Sequence, residues 1–389
     1  MAEAETMRPY QGFEQGPIRP PSEAYSLLLR ITRNCPWNRC TFCSVYKKRT
    51  FSLRPVEEII RDIDAVHRFV NELQAPGRST GSWGKHFVAD LHSKDQQAFF
   101  AAKSWLESGM ESIFLQDADS LAMKPEDLIT VLRHVKARFP MAARITSYAR
   151  SATIARISDE NLKEMADAGL NRIHIGLETA SDKILKMIRK GVTKEIQIKA
   201  GVKARNAGME VSEYVLTGIG GSEFWHDHAV ETADALNRIN PDFIRFRTLR
   251  ISDSLKLFEN ADDTSWKRAP GLVQAKEIRL LIEKLSGISS RIKSDHMFNL
   301  FQEIDGTLPQ DKERLLSVPQ KFIDMDPEHR MLFQIGKMYR YFWQLSDMQI
   351  PGRLAQVEEI CRRLEVTPEN VDEKINGMIQ EGMRTGVSL

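Results

Sequence analysis

The 389-residue chain predicts an α/β fold: a (β/α)6 partial TIM barrel followed by a C-terminal helical extension. Three observations predict it. Six strand-like segments alternate with segments of helical periodicity between residues 25 and 249. Several of those strands carry one polar face. From about residue 250 onward the spacing is helical to the end. The expected organisation is an N-terminal arm over 1–23, a core domain over 24–255 and a helical region over 256–389.

The arm is polar and proline-punctuated. "YSLLLRIT" (25–32) reads as a buried strand, and a cysteine-bearing loop follows it. Pro55 opens an amphipathic helix, "PVEEIIRDIDAVHRFVNEL", because proline suits the first helical turn. Residues 75–95 read as a loop or insertion and 95–108 as a helix. Strands then fall at 112–117, 142–150, 171–178, 209–218 and 242–249, with helices over 124–139, 158–169, 181–188, 194–207 and 225–238. Ser158 is an N-cap candidate and Gly169 a stop signal. Evenly spaced strand–helix units imply parallel strands joined by right-handed crossovers.

A strand covered on both sides of a parallel sheet should be apolar throughout. Here Arg172, His174 and Glu178 share one face of their strand, Arg245 and Arg247 one face of theirs, and Arg144, Thr146, Tyr148 and Arg150 one face of a third. That recurrence predicts a polar lumen; satisfied buried pairs are the alternative.

Composition is that of a globular protein, 42% hydrophobic and 28% charged. A net charge of +2 disfavours nucleic-acid binding through bulk charge. No apolar run approaches the roughly 20 residues that span a bilayer. The N-terminus lacks a basic-then-apolar signal pattern, so the expected location is cytoplasmic. Four cysteines in such a chain do not form a disulfide framework.

Three of the four, Cys35, Cys40 and Cys43, form a Cys-x4-Cys-x2-Cys run on the loop after the first strand. A structural zinc site takes four ligands, which His67 or His86 would have to complete. Inert or redox thiols account for one or two cysteines. A [4Fe–4S] cluster with three protein ligands and one open iron accounts for all three. Cys361, in "VEEICRRL", lies on the apolar face of a C-terminal helix and reads as a core residue.

The triplet, its place after the first strand, Phe42 just before the last cysteine and the six strand–helix units resemble the radical S-adenosylmethionine (SAM) enzymes over residues 23–255. "IHIGLETASDKILKMIRKGVT" and "YVLTGIGG" place the resemblance nearest the branch with cobalamin-dependent, methylthiotransferase and coproporphyrinogen-type members. The usual triplet spacing is Cys-x3-Cys-x2-Cys, so this chain carries one extra residue. The resemblance implies an enzyme with a [4Fe–4S] cluster on Cys35, Cys40 and Cys43, SAM as cofactor and a one-electron donor of flavodoxin or ferredoxin type. It implies Phe42 at the adenine, Glu178 at the SAM ribose and Lys190 at the methionine carboxylate. Asp117 and Asp119, where many members have Gly-Gly-Glu, would receive the methionine amino group. Gly218, Gly220 and Gly221 would let the backbone approach the adenine. The implied reaction cleaves SAM to a 5′-deoxyadenosyl radical that abstracts a hydrogen from substrate.

Substrate-side candidates are Tyr148, Arg150, Glu213, Tyr214, Arg245 and Arg247. The arginines suggest an anionic small molecule; pairing with carboxylates such as Glu178 or Glu213 is the alternative. His226 and His228 are expected at the helix surface. No second cluster or cobalamin domain is expected. Two other readings remain open: a non-catalytic iron–sulfur or zinc protein, and modification of RNA or a peptide.

Overall fold

The computed structural model describes residues 10–75, 93–250 and 266–385. The first strand is β1 (Leu27–Arg30), and the two-residue strands β2 (Thr32–Arg33) and β3 (Ser52–Leu53) bracket the cysteine loop. Helices α1 (Val56–Gln74) and α2 (Ser93–Glu107) lead to β4 (Ser112–Gln116), α3 (Pro125–Arg138) and β5 (Arg144–Ala149). Then come α4 (Ser151–Ile154), α5 (Asp159–Asp167), β6 (Leu170–Glu178), α6 (Asp182–Met187), α7 (Lys194–Asn206), β7 (Glu210–Thr217), α8 (Gly221–Ile239) and β8 (Phe243–Thr248). The six expected strand–helix units are therefore present.

Local chemistry sets these elements. Helix α1 starts behind Pro55, carries Glu57 and Glu58 in its first turn against the helix dipole, and buries Ile59, Ile63, Val66, Val70 and Leu73 on one stripe. Ser158 and Ser181 each accept a hydrogen bond from a third-position N–H, capping α5 and α6. Every residue of β4 is buried, as a parallel strand covered on both faces requires.

The strand order is β1-β4-β5-β6-β7-β8-β9-β10, with β1–β4, β4–β5, β7–β8 and β8–β9 parallel. The last two strands correct the all-helical expectation beyond residue 250. β9 (Arg291–Lys293) extends the sheet in parallel, and β10 (Asp305–Thr307) turns back antiparallel to it. Each is three residues long with polar residues at both ends, too short for a period-2 signal. The expected boundary at 255 lies outside the described residues.

The chain separates into two compact units. One comprises Met1–Pro36, Lys48–Ile173 and Ala207–Met209; the other comprises Trp37–Lys47, His174–Asn206 and Glu210–Leu389. In the first, Glu14 of the arm pairs with Arg30 and Arg33, and Arg54 pairs with Asp62 at 2.8 Å. Gly16 N–H donates to Gln116, so the arm is fastened to β4.

In the second unit, one continuous apolar core joins Leu177, Val215, Ile244 and Phe246 of the sheet to the C-terminal helices. Those helices are α9 (Gly271–Lys284), α10 (Lys312–Asp324), α11 (Pro327–Met338), α12 (Pro351–Arg363) and α13 (Val371–Thr385). Cys361 lies buried in this core, as its place on α12 predicts. Phe333 is the centre of it: its ring stacks on Phe301 and Phe342 and meets Phe322 edge-on at 5.7 Å. Truncation of Phe333 to alanine should cost about 3–5 kcal/mol. Denaturant unfolding of Phe333→Ala checks this; a loss below about 1 kcal/mol would show that the aromatic stack is not the centre of the core.

Candidate active site

The cysteine loop is anchored at both of its described ends. At its start, Asn34 adopts a left-handed conformation, its N–H donates to Asp117 at 3.0 Å, and its side chain donates to the Thr50 carbonyl. Further along, the Trp37 indole N–H donates to the Arg189 carbonyl at 2.7 Å, and Thr41 N–H donates to the Ile188 carbonyl. Gly191 makes that seat possible: its φ is +76°, and a Cβ there would overlap the Trp37 ring. Phe42 packs on a small apolar cluster that includes Ile184, Ile188 and Leu216.

The thiols of Cys35, Cys40 and Cys43 are half-buried and not in disulfides. Among the described residues no three Cys, His, Asp or Glu side chains converge as a metal site. The donor set still fits an iron–sulfur cluster, because a loop whose thiols are not tied in disulfides can close on a metal as it binds. The extra residue of the triplet falls in the stretch where Trp37 is docked on residues 189–191 rather than left free.

Beside that seat, Lys190 Nζ lies 3.0 Å from Glu178 Oε1 and 5.7 Å from the centre of the Phe42 ring. Glu178 closes β6 with a φ of +64°, a left-handed conformation that turns its carboxylate back over Gly176. A Cβ on Gly176 would fall 2.5 Å from Glu178 Oε1 and 3.1 Å from Lys190 Nζ, so the absent side chain is the cradle for this ion pair. A paired ammonium and carboxylate can each engage the opposite charge of a zwitterionic ligand.

The acidic residues at the end of β4 are buried and engaged. Asp117 Oδ2 accepts from Arg30 at 2.7 Å and from Asn34 N–H at 3.0 Å. Asp119 accepts from Thr153 Oγ1 at 2.6 Å and Arg150 N–H at 3.3 Å. Burial pushes Asp119 up to about 6, against those hydrogen bonds and the Arg150 charge. Tyr148 stacks edge-on against Phe114, and Arg150 stands just past β5 as the residue before α4.

Register decides which candidates on β7 and β8 can meet. Tyr214 pairs with Arg245 and Leu216 with Arg247, so these share one face. On it the Arg247 guanidinium lies 4.7 Å over the Tyr214 ring, and Tyr214 meets the buried His174 edge-on. Glu213, the neighbour of Tyr214, is turned to the opposite face: a Cβ on Gly201 of α7 would lie 3.2 Å from its carboxylate. Adjacent strand residues cannot line one cavity. Glu213 is fully buried with no hydrogen-bond partner among the described residues. Burial lifts its pKa well above the ordinary value, with Lys190 opposing and Glu178 adding.

Arg245 and Arg247 pair neither with Glu178 nor with Glu213. Their partner is Asp295, just beyond β9, at 2.5 and 2.8 Å. Burial raises the Asp295 pKa, but the two guanidinium charges outweigh it and hold the carboxyl below its usual value. Two cations share one carboxylate, and Arg247 Nη2 is buried without a hydrogen-bond partner among the described residues.

Gly218, at φ +82°, turns the chain after β7 and gives its N–H to Glu277 Oε1 at 2.8 Å; Gly220 and Gly221 open α8. Glu277 belongs to a buried relay that the sequence did not disclose. Its Oε1 is 3.6 Å from His228 Nε2, and His228 Nδ1 is 2.9 Å from Thr179, the residue after Glu178. His226 is exposed as expected, whereas His228 is fully buried. Burial drives His228 down to about 3 and Glu277 up to about 8, the latter against its Gly218 hydrogen bond. Both are held neutral near pH 7.

Residues 100–235 match the sequence profile of the Radical SAM superfamily. That superfamily's cofactors are a [4Fe–4S] cluster and SAM. The chain is 30% identical over 179 residues to the 4′-phospho-dehydrooxetanocin synthase of Priestia megaterium, covering 45% of this chain and 21% of that protein. It is 25% identical over 112 residues to the tRNA uridine(34) acetyltransferase of Methanocaldococcus infernus, covering 28% of this chain and 20% of that protein. The matched stretch thus spans about a fifth of these relatives' length. Coproporphyrinogen III oxidase from Escherichia coli superposes with a TM-score of 0.42 at 12% identity, over 63% of this chain and 49% of the oxidase. No helix among the described residues is long and apolar enough to cross a membrane.

The neutral pair sets a pH signature. Between pH 3 and 6.5 the unfolded chain binds a proton at His228 that the folded chain does not, so stability rises with pH. Between 4.5 and 8 the folded chain keeps a proton on Glu277 that the unfolded chain loses, so stability falls. The slopes of these two groups oppose each other up to 6.5; from there to pH 8 Glu277 lowers stability by about 2 kcal/mol, in the same direction as the buried Glu213. Urea unfolding at both ends of that window should show a fall in the native chain that is shallower in Glu277→Gln; equal slopes would mean that Glu277 is ionised in the fold.

Proposed function

We propose that Cys35, Cys40 and Cys43 hold the cluster, that Glu178 and Lys190 seat SAM, and that the substrate is a small molecule with an anionic group. The observation that carries this reading is the docking of the cysteine loop on residues 188–191, beside the Glu178–Lys190 pair. When bound, the cluster supplies the electron that splits SAM to methionine and a 5′-deoxyadenosyl radical, which takes hydrogen from the substrate.

The chain's own residues divide the remaining work. Lys190 offers its ammonium to the methionine carboxylate, and Glu178, released from that pair, accepts from the ribose hydroxyls. Phe42 gives an apolar wall on the adenine side, where the Gly218 turn brings backbone close. Arg247, with a donor to spare over Tyr214, takes the substrate's anion, and Asp295 keeps the Arg245–Arg247 pair in place. The phosphorylated compound in the name of the Priestia megaterium relative agrees with an anionic substrate. Asp117 acts through Arg30 and Asn34, as the tie between β4 and the start of the loop. The electron comes from a flavodoxin- or ferredoxin-type donor.

Similarity to tRNA uridine(34) acetyltransferases favours RNA as the second reading, against the net charge of only +2. Anaerobically reconstituted protein given SAM and a strong reductant should form 5′-deoxyadenosine. Lys190→Ala should weaken SAM binding about tenfold to hundredfold, the worth of one charge-assisted hydrogen bond. A full cluster with no 5′-deoxyadenosine would contradict the radical reading. Product formation stimulated by tRNA and by no small anion would move the substrate to RNA.

A further inference from the structure

The N-terminal arm reaches the start of the cysteine loop through charge. Glu14 is the only acidic residue between positions 10 and 20. Its Oε1 accepts from Arg30 Nη1 at 2.6 Å, and Arg33 places Nε 3.0 Å from both oxygens and Nη2 2.8 Å from Oε2. Those two arginines end β1 and β2, on the stretch of chain that leads into Cys35. Arg30 divides its fork. Nη1 goes to Glu14, while Nε and Nη2 donate to Asp117 Oδ2 at 3.0 and 2.7 Å. The same Asp117 oxygen accepts the N–H of Asn34, the residue immediately before Cys35. Contacts therefore run from Glu14 to the backbone beside Cys35 by way of Arg30 and Asp117, and directly to Arg33. All of these residues belong to the first unit.

Glu14 is held in place by its own stretch of backbone. Its N–H donates to Asp62 Oδ2 at 3.2 Å, and Asp62 Oδ1 accepts the Tyr10 hydroxyl at 2.6 Å. Gly16 N–H donates to the Gln116 side chain at 2.8 Å. The arm is thus fastened on both sides of the carboxylate, which imposes its position on the two arginines. Burial raises the Glu14 pKa, but the Arg33 hydrogen bond and the charges of Arg54, Arg33 and Arg30 outweigh it and hold the carboxyl below its usual value. The carboxylate is therefore charged at neutral pH. Without it, Arg30 keeps Asp117 and Arg33 keeps Glu58, while the surroundings of Cys35 become more positive.

We propose that Glu14 is a positioning residue for the iron–sulfur cluster, acting through Arg30 and Arg33 on the backbone at Cys35 and on the charge around the cluster. This rests on the assignment of Cys35 as a cluster ligand and deepens it, by giving the arm a part in that site. Net charge and hydrogen bonding set the potential of an iron–sulfur cluster. An anion that offsets the two arginines disfavours the reduced, more negative cluster relative to the arginines alone.

Potentiometric titration of the reconstituted holoenzyme, read by electron paramagnetic resonance, tests this without SAM. At the native midpoint, Glu14→Gln should raise the ratio of reduced to oxidised cluster about threefold or more, and Arg33→Gln should lower it by a similar factor. Glu14→Asp keeps the charge and should stay near the native ratio. So should Arg19→Gln, which removes the arm's own cation, a donor to the Ala24 carbonyl. Opposite shifts are the signature of charge, because both variants break the same ion pair and a loosened loop alone moves both one way. Shifts of one sign, or the native midpoint in either loaded glutamine variant, would overturn the proposal, even with urea unfolding showing a loss of stability. Failure of the cluster assignment shows differently, as a signal that survives Cys35→Ala, and failure of the radical reading as a full cluster that forms no 5′-deoxyadenosine.

Discussion

The seat of Trp37 on Gly191 is the constraint on which the rest of the site depends. A tryptophan in the middle of a thiol-bearing loop reaches residues 189–191, and only a residue without a side chain leaves room for it. That contact sets Trp37 one residue from Lys190, whose ammonium lies 3.0 Å from the Glu178 carboxylate. One docked ring thus sets the cysteine loop beside the Glu178–Lys190 ion pair. The glycine at 176 completes the arrangement by leaving space above β6 that a methyl group would fill.

The C-terminal region is a working part of the second unit. It shares the core of β6, β7 and β8 and contributes Asp295 to the two strand arginines and Glu277 to the Gly218 turn. The buried Glu277–His228 pair, 3.6 Å apart and not hydrogen-bonded to each other, stands between the turn after β7, through Gly218, and the end of β6, through Thr179. Kept neutral, it costs less to bury than a charged pair would. It spans the two backbone segments assigned to SAM without spending a formal charge near them.

Much of this was legible in the sequence because it rests on local rules. The strand–helix alternation, the Ser158 cap and the buried place of Cys361 follow from periodicity and capping, which a single chain displays. What was not legible depends on register and on distant segments. Glu213 and Tyr214 both looked like cavity residues, yet neighbours on a strand face opposite ways, and the register gives the polar face to Tyr214. The partner of Arg245 and Arg247 is about 50 residues away in sequence, after a three-residue strand with no periodic signal. His228 looked like a surface residue because it follows the polar pair His226 and Asp227; Thr179 after β6 and Glu277 of α9, both distant in sequence, enclose it. The end of β4 was read as open acid, whereas Arg30 and Thr153 engage it.

The claim that the docked loop is the metal centre and carries an open coordination position is tested most directly by electron paramagnetic resonance of the reduced, reconstituted protein, with and without SAM. The native chain and Cys361→Ala should show a reduced [4Fe–4S] signal that changes shape when SAM is added, and alanine at Cys35, Cys40 or Cys43 should abolish it. A signal that survives loss of Cys40, or one in the native chain that SAM leaves unchanged, would contradict the account.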